Sequence, residues 1–140
     1  MSFNEHAKTW DSPERIHRAI AIAESLRPAL LLAPHHHVLE FGCGTGLTSF
    51  ALNEPVARLV MLDTSEGMLE TLKEKIAHHG MTYMTPMLGD LPPETFDVIH
   101  TTLVLHHIKE VEQILAKLQN RLRAGGRLAI VDLDRKSTRL

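Results

Sequence analysis

The stretch Val38-Leu39-Glu40-Phe41-Gly42-Cys43-Gly44-Thr45-Gly46-Leu47-Thr48 constrains this chain more than any other. An apolar run ends in an acid, glycine recurs at every second position, and residues able to open a helix follow. That order predicts a strand, a tight turn and a helix, with bare backbone N–H groups and a helix N-terminus facing a nucleotide-like ligand. Glycines there keep Cβ atoms away from the ligand and permit positive φ. The pattern reads acid-x-G-x-G-x-G. It is neither the G-x-G-x-x-G of dinucleotide sites nor the phosphate-loop pattern, because no Lys follows the last glycine. A second apolar run, Arg58-Leu59-Val60-Met61-Leu62-Asp63, ends in an acid 23 positions after Glu40. The two-strand nucleotide unit needs an acid at about this distance, at the tip of its second strand, to meet ribose hydroxyls.

The remaining chain alternates helical and strand patterns. Asp11 or Ser12 can cap a helix with Pro13 at its first position. Ile16, Ala19, Ile20, Ala23 and Leu26 keep helical spacing, and Pro28 is expected to end or kink that helix, with one further turn over Ala29–Ala33. A short helix runs from Leu47 to about Asn53, and a strand covers about Ala57–Leu62. Ser65 can cap a helix whose apolar face is Met68, Leu69, Leu72 and Ile76 and whose C-terminal position is Gly80. Met81–Leu88 is read as a third strand at the sheet edge and Phe96–Thr101 as a fourth. A helix lined by Val111, Ile114, Leu115, Leu118 and Leu122 stops before Gly125-Gly126, and Arg127–Leu133 is the fifth strand. Alternating strands and helices argue for parallel βαβ units with right-handed crossovers, an α/β fold.

Four stretches, VLEFGCGTG, LDTSEGML, FDVIHTTLVLHHI and LRAGGRLAIVDLD, lie in this order from Val38 to about Asp134. Together they resemble the class I S-adenosylmethionine-dependent methyltransferases. The resemblance implies a doubly wound, mostly parallel, Rossmann-like sheet ordered 3-2-1-4-5, with S-adenosylmethionine as cofactor and a small-molecule methyl acceptor. It divides the single domain into an N-terminal helical lid region (1–34), the cofactor-binding core (35–134) and a tail (135–140). Glu40 is expected to hold the methionine end through its amino group, while Gly42, Gly44 and Gly46 let the backbone approach. Asp63 is expected to accept hydrogen bonds from both ribose hydroxyls, with capping of the following helix as its alternative. Thr64 and Met68 fall near ribose and adenine, although Met68 also sits at core spacing. Asp90 and Leu91 match the adenine-side loop, which is shorter here than the family's usual one. His106 follows the fourth strand, where family members approach the transferred methyl group; it is the candidate base, with a structural role as its alternative. The family continues for two strands beyond the fifth, so the chain is expected to be short and the fifth strand to be an exposed edge able to self-associate. Cofactor binding without turnover is one alternative. A nicotinamide-binding module is another, weakened because the third glycine comes one residue early.

Composition narrows the partners. At 140 residues, the chain suits one domain with a sizeable core. Hydrophobic content of 44% and charged content of 23% are ordinary for a soluble globule. A net charge of −2 gives no electrostatic footprint for nucleic acid or an anionic membrane. No Asp/Asn-Pro-Pro-aromatic motif and no Pro-Cys nucleophile occurs, which further disfavours a nucleic-acid substrate. Apolar runs such as Ala29–Ala33 are far shorter than the roughly 20 residues of a membrane span. The single cysteine, Cys43, fits a reducing compartment and a cytoplasmic protein. It is read as a small loop residue rather than a nucleophile. The tandem histidines 35–37 and 78–79 diverge instead of converging, so no metal is expected.

Overall fold

A computed structural model describes residues 7–102 and 110–131. After a short 3-10 turn at Ala7–Thr9 come α1 (Pro13–Leu30), β1 (His37–Phe41), α2 (Leu47–Leu52), β2 (Arg58–Asp63), α3 (Glu66–His79), β3 (Met84–Leu88), β4 (Phe96–Thr102), α4 (Val111–Gln119) and β5 (Leu122–Val131). The five strands form one sheet in the order β3-β2-β1-β4-β5, and every neighbouring pair is parallel. This is the expected α/β sheet and strand order.

Burial on both faces explains why the central strands read as continuous apolar runs. On one face, Ala23, Leu26 and Leu30 of α1, Leu52 of α2, and Leu69 and Leu72 of α3 pack against Val38, Met61 and Val98. On the other, Leu118 of α4 packs with Leu39, Val60, Leu62, Phe96 and Ile99. The interior switches from one face to the other at successive residues, as the strand period of two requires.

Helix ends follow local chemistry. The Ser12 hydroxyl accepts from the Arg15 N–H and Pro13 occupies the first helical position; Ser65 caps α3 through the Met68 N–H, and Gly80 ends that helix at φ 63°. Arg27 of α1 donates to the carbonyls of Leu52 at 2.7 Å and Ala51 at 3.2 Å, and to Glu54 at 2.8 Å, fixing α1 across the C-terminus of α2.

Three boundaries differ from the sequence reading; the third strand, expected from Met81, starts only at Met84. Pro28 does not break α1, which continues to Leu30 and closes with Leu31 in the left-handed region. Pro28 is exposed, so the carbonyl deprived of its usual partner is on the solvent side. The helix expected to include Leu122 ends at Gln119, and β5 begins at Leu122 because that residue pairs with Phe96. Gly125-Gly126 therefore lies within the fifth element instead of before it. Its register then jumps: Phe96 faces Leu122, whereas Val98 faces Arg127. The expected fifth strand extended to Leu133, whose last two positions lie outside the described residues, as does the expected tail.

Candidate cofactor site

The parallel sheet places the carboxyl ends of β1, β2, β3 and β4 together, where open α/β sheets build ligand crevices. Glu40 on β1 is register partner to Met61 on β2 and to His100 on β4. Asp63 ends β2 beside Leu88 of β3, and Gly89 donates its N–H to the Asp63 carbonyl at 3.1 Å. Glu40, the glycine loop, Asp63 and the start of the Asp90 loop thus share one end of the sheet.

The loop's amides do not form the open cradle expected from the sequence. Gly42 and Cys43 both donate to the Leu62 carbonyl, at 2.8 and 2.9 Å, and Gly46 donates to Cys43 at 2.9 Å. Gly44 donates to Asp63 Oδ2 at 2.7 Å. Helix α2 behind them has only six residues. Four loop N–H groups are therefore spent on holding the loop's own shape. Bare donors inviting a phosphate are replaced by a turn bracketed by carboxylates, which suits a cationic ligand better.

The two inner glycines differ in what surrounds them. At Gly46 (φ 86°) an added Cβ would fall 2.7 Å from Leu72 Cδ1 and 2.9 Å from Met61 Cε, so this glycine allows loop and core to pack closely. At Gly44 (φ 57°) an added Cβ would meet no protein atom within 4 Å. The open side of the loop is at Gly44.

Asp63 holds the loop and the next helix with one carboxylate. Its Oδ2 accepts from Gly44, and its Oδ1 accepts from the Ser65 N–H at 2.9 Å. Each carboxylate oxygen has two acceptor directions, so each retains one for a ligand hydroxyl. Asp63 is only partly buried, and its neighbour Thr64 is exposed. Met68 is 2% exposed and sits among the packed residues of α3.

Glu40 is enclosed, at 2% exposure, with Ser49 donating to its Oε1 at 2.5 Å. Burial pushes its pKa from the ordinary 4.5 up to about 7; the Ser49 hydrogen bond and Lys75 pull the other way, and the Asp63 charge adds to the rise. Cys43 is also buried, and its thiol is pushed well above the ordinary range by desolvation and by the Glu40 and Asp63 charges. A thiol so disfavoured as thiolate is a poor nucleophile.

Asp90 is exposed in the loop after β3, and Leu91 packs partly into the core. At the end of β4 the Thr101 hydroxyl donates to the Phe41 carbonyl at 2.9 Å, tying β4 to β1. The Thr102 hydroxyl is buried with no partner among the described residues. His106 lies outside the described residues.

Several participants were not singled out from sequence. Ser49 binds Glu40 from the first turn of α2. Thr45, 1% exposed, donates its hydroxyl to Asp11 at 2.5 Å, and Lys75 joins both. His100, beside Glu40, is enclosed; burial lowers its pKa from 6.5 to about 4, and its Nδ1 has no partner among the described residues. Of these, only Asp11 carried a sequence signal, as the capping candidate left over once Ser12 caps α1.

Among the described residues no helix is long and apolar enough to cross a membrane. Residues 39–128 match a family described as a methyltransferase domain. An uncharacterized methyltransferase of Anoxybacillus flavithermus is 35% identical over 97 residues, covering 68% of this chain and 46% of the relative. Another, from Synechocystis sp., is 32% identical over 112 residues, covering 77% of this chain and 52% of the relative. The chain thus spans about half the length of these curated relatives. Among solved structures, a DhpI–SAH complex shares the fold with a TM-score of 0.78 at 19% identity, covering 96% of this chain and 67% of the other. With the family matched over most of its length and the strand order in agreement, the chain belongs to the methyltransferase domain family.

Proposed function

We propose that this chain binds S-adenosylmethionine at the glycine loop and serves methyl transfer to a small-molecule acceptor. The observation that carries the reading is the pair of carboxylates, Glu40 and Asp63, bracketing a loop whose own amides are already engaged. A ligand carrying an ammonium and a sulfonium matches that charge pattern. A dinucleotide pyrophosphate would meet acids and spent donors.

S-adenosylmethionine supplies a methyl group already activated by its sulfonium. The chain's task is then positioning. Asp63, fixed by two backbone donors, offers its remaining acceptor directions to the ribose hydroxyls. Thr64 and the Asp90–Leu91 loop lie on the adenine side, beside the carboxyl ends of β2 and β3. Glu40 supplies a buried negative charge that an arriving ammonium favours in its ionised form. Held orientation of this kind supplies several kcal/mol of a displacement barrier. His106 is the candidate to remove a proton from an acceptor that must lose one.

Calorimetric titration with S-adenosylhomocysteine and with NADH tests the cofactor assignment. Saturable binding of the first alone is expected; binding of NADH alone would overturn it. Turnover on a panel of small-molecule acceptors tests the transfer.

A further inference from the structure

We infer that Asp11 and Lys75 are positioning residues: they clamp Thr45 and so set the shape in which the glycine loop receives its cofactor. The inference rests on the assignment of that loop as the cofactor site. Three separate parts of the chain meet at Thr45. Its hydroxyl donates to Asp11 Oδ1 at 2.5 Å, from the segment preceding α1. Lys75 Nζ, from α3, donates to Asp11 Oδ2 at 2.9 Å and to the Thr45 carbonyl at 2.8 Å. The Lys75 ammonium also stands 4.9 Å from the centre of the Phe50 ring, one turn into α2. Side-chain exposures of 21% for Lys75 and 28% for Asp11 leave this ion pair largely shielded from water.

The placement explains why a clamp is needed. Thr45 sits between Gly44 at φ 57° and Gly46 at φ 86°, two of the loop's three glycines, none of which holds a conformation well by itself. Fixing both the hydroxyl and the carbonyl of the residue between them removes that freedom. The neighbouring Gly44 N–H is then presented to Asp63 Oδ2, the proposed ribose carboxylate. An ion pair serving only to fasten the N-terminal segment would require Asp11 and Lys75 alone. Here both partners also bond the loop residue.

The test uses the full chain with Asp11→Asn, Lys75→Met, their double variant, Thr45→Val and Thr45→Ser. S-adenosylhomocysteine affinity is measured by calorimetric titration, and the melting temperature is measured without ligand. Each of Asp11→Asn, Lys75→Met and Thr45→Val is expected to weaken binding by about fivefold to tenfold. The double variant is expected to fall within about twofold of the weaker single one, since coupled residues act as a unit. Thr45→Ser, which keeps the hydroxyl, is expected to stay within about twofold of wild type. Wild-type affinity in all three loss variants would overturn the inference and leave the cofactor assignment standing. So would Thr45→Ser binding as weakly as Thr45→Val, or affinity losses found only where the melting temperature collapses. A wild-type chain that fails to bind the probe would instead overturn the cofactor assignment, and this inference with it.

Discussion

The β1–β2 half of the sheet and its β4–β5 half are built from similar apolar material but differ in how tightly the backbone is held. Along β1 and β2 the register advances one residue at a time from His37↔Arg58 to Phe41↔Leu62, and four of the six β2 residues are buried. Along β4 and β5 the register jumps between Phe96 and Val98, and no residue of β5 is fully buried. The acids that bracket the glycine loop stand on the regular side. A carboxylate can be aimed only as well as the strand that carries it, and two-sided burial fixes β1 and β2. The difference teaches that cofactor contacts should be sensitive to single atoms in the first half, while changes along β5 should be absorbed; β4 itself, with five of its seven residues buried, tolerates change no better than β2.

The largest effect is expected at Gly44. Its surroundings are open to a Cβ as far as protein atoms are concerned, so a branched residue there would intrude on ligand space and strain a φ of 57°. Gly44→Val is expected to weaken S-adenosylmethionine binding about a hundredfold or more, roughly 2.7 kcal/mol. Retained affinity in calorimetric titration would move the cofactor away from this loop.

Asp63 comes next. Asp63→Ala removes the proposed ribose contacts and also frees the Gly44 and Ser65 N–H groups it now holds. The expected loss is about 1–2.5 kcal/mol of binding, below that at Gly44. Unchanged affinity in a folded variant would detach the ribose from β2 and break the contrast between the two halves.

Glu40 and His100 are register partners on β1 and β4, so they compare the halves at their seam. Glu40 is raised when folded, from 4.5 to about 7. Between those values the unfolded chain binds fewer protons, so this group's contribution to stability falls as pH rises and is lost above about 7. His100 has the opposite sign: it is lowered from 6.5 to about 4, so its contribution is present above 6.5 and is lost as pH falls through that window. Glu40→Gln, which keeps an acceptor for Ser49, is expected to gain about 2 kcal/mol on ligand-free wild type between pH 5 and pH 8. Thermal melts across that range measure it, and a pH-independent difference would refute the buried ionisation.

How much of this was legible beforehand depended on whether a signal was local. The individual strands, the positions of the acids Glu40 and Asp63, and the caps at Ser12, Ser65 and Gly80 were readable because period, turn chemistry and capping act over a few residues, whereas the strand order came only with the family resemblance, because it depends on pairings between distant segments. Pro28 misled only as a stop, because whether a proline breaks a helix depends on which way the freed carbonyl faces. Leu122 misled because it follows Leu118 at helical spacing and packs into the same core, so periodicity does not separate the last helix turn from the first strand residue. The occupied amides of Gly42, Cys43 and Gly44 were hidden because their acceptors, the Leu62 carbonyl and the Asp63 carboxylate, belong to another strand. Asp11 and Lys75 lie 64 positions apart, and no local pattern joins them.

The smallest expected effect belongs to the outer strand. Ile130 is 42% exposed on β5, opposite Thr101 and remote from the acids on β1 and β2. An edge strand carrying an exposed branched apolar side chain is a template for pairing with another chain, and a charge there blunts it. Ile130→Lys gives up little burial, because nearly half of that side chain already faces water. Its long stem can cover the same apolar neighbours while the ammonium reaches solvent. Stability is therefore expected to change by less than about 0.5 kcal/mol, as for ordinary surface substitutions. S-adenosylhomocysteine affinity should stay within about twofold of wild type, because no proposed contact passes through β5. Should the wild-type chain self-associate through this edge, light scattering would show less association in the variant at the same concentration. If instead the charge at Ile130 weakened cofactor binding as much as Asp63→Ala does, the irregular half would be coupled to the site as tightly as the regular one. The contrast between the halves would then fail.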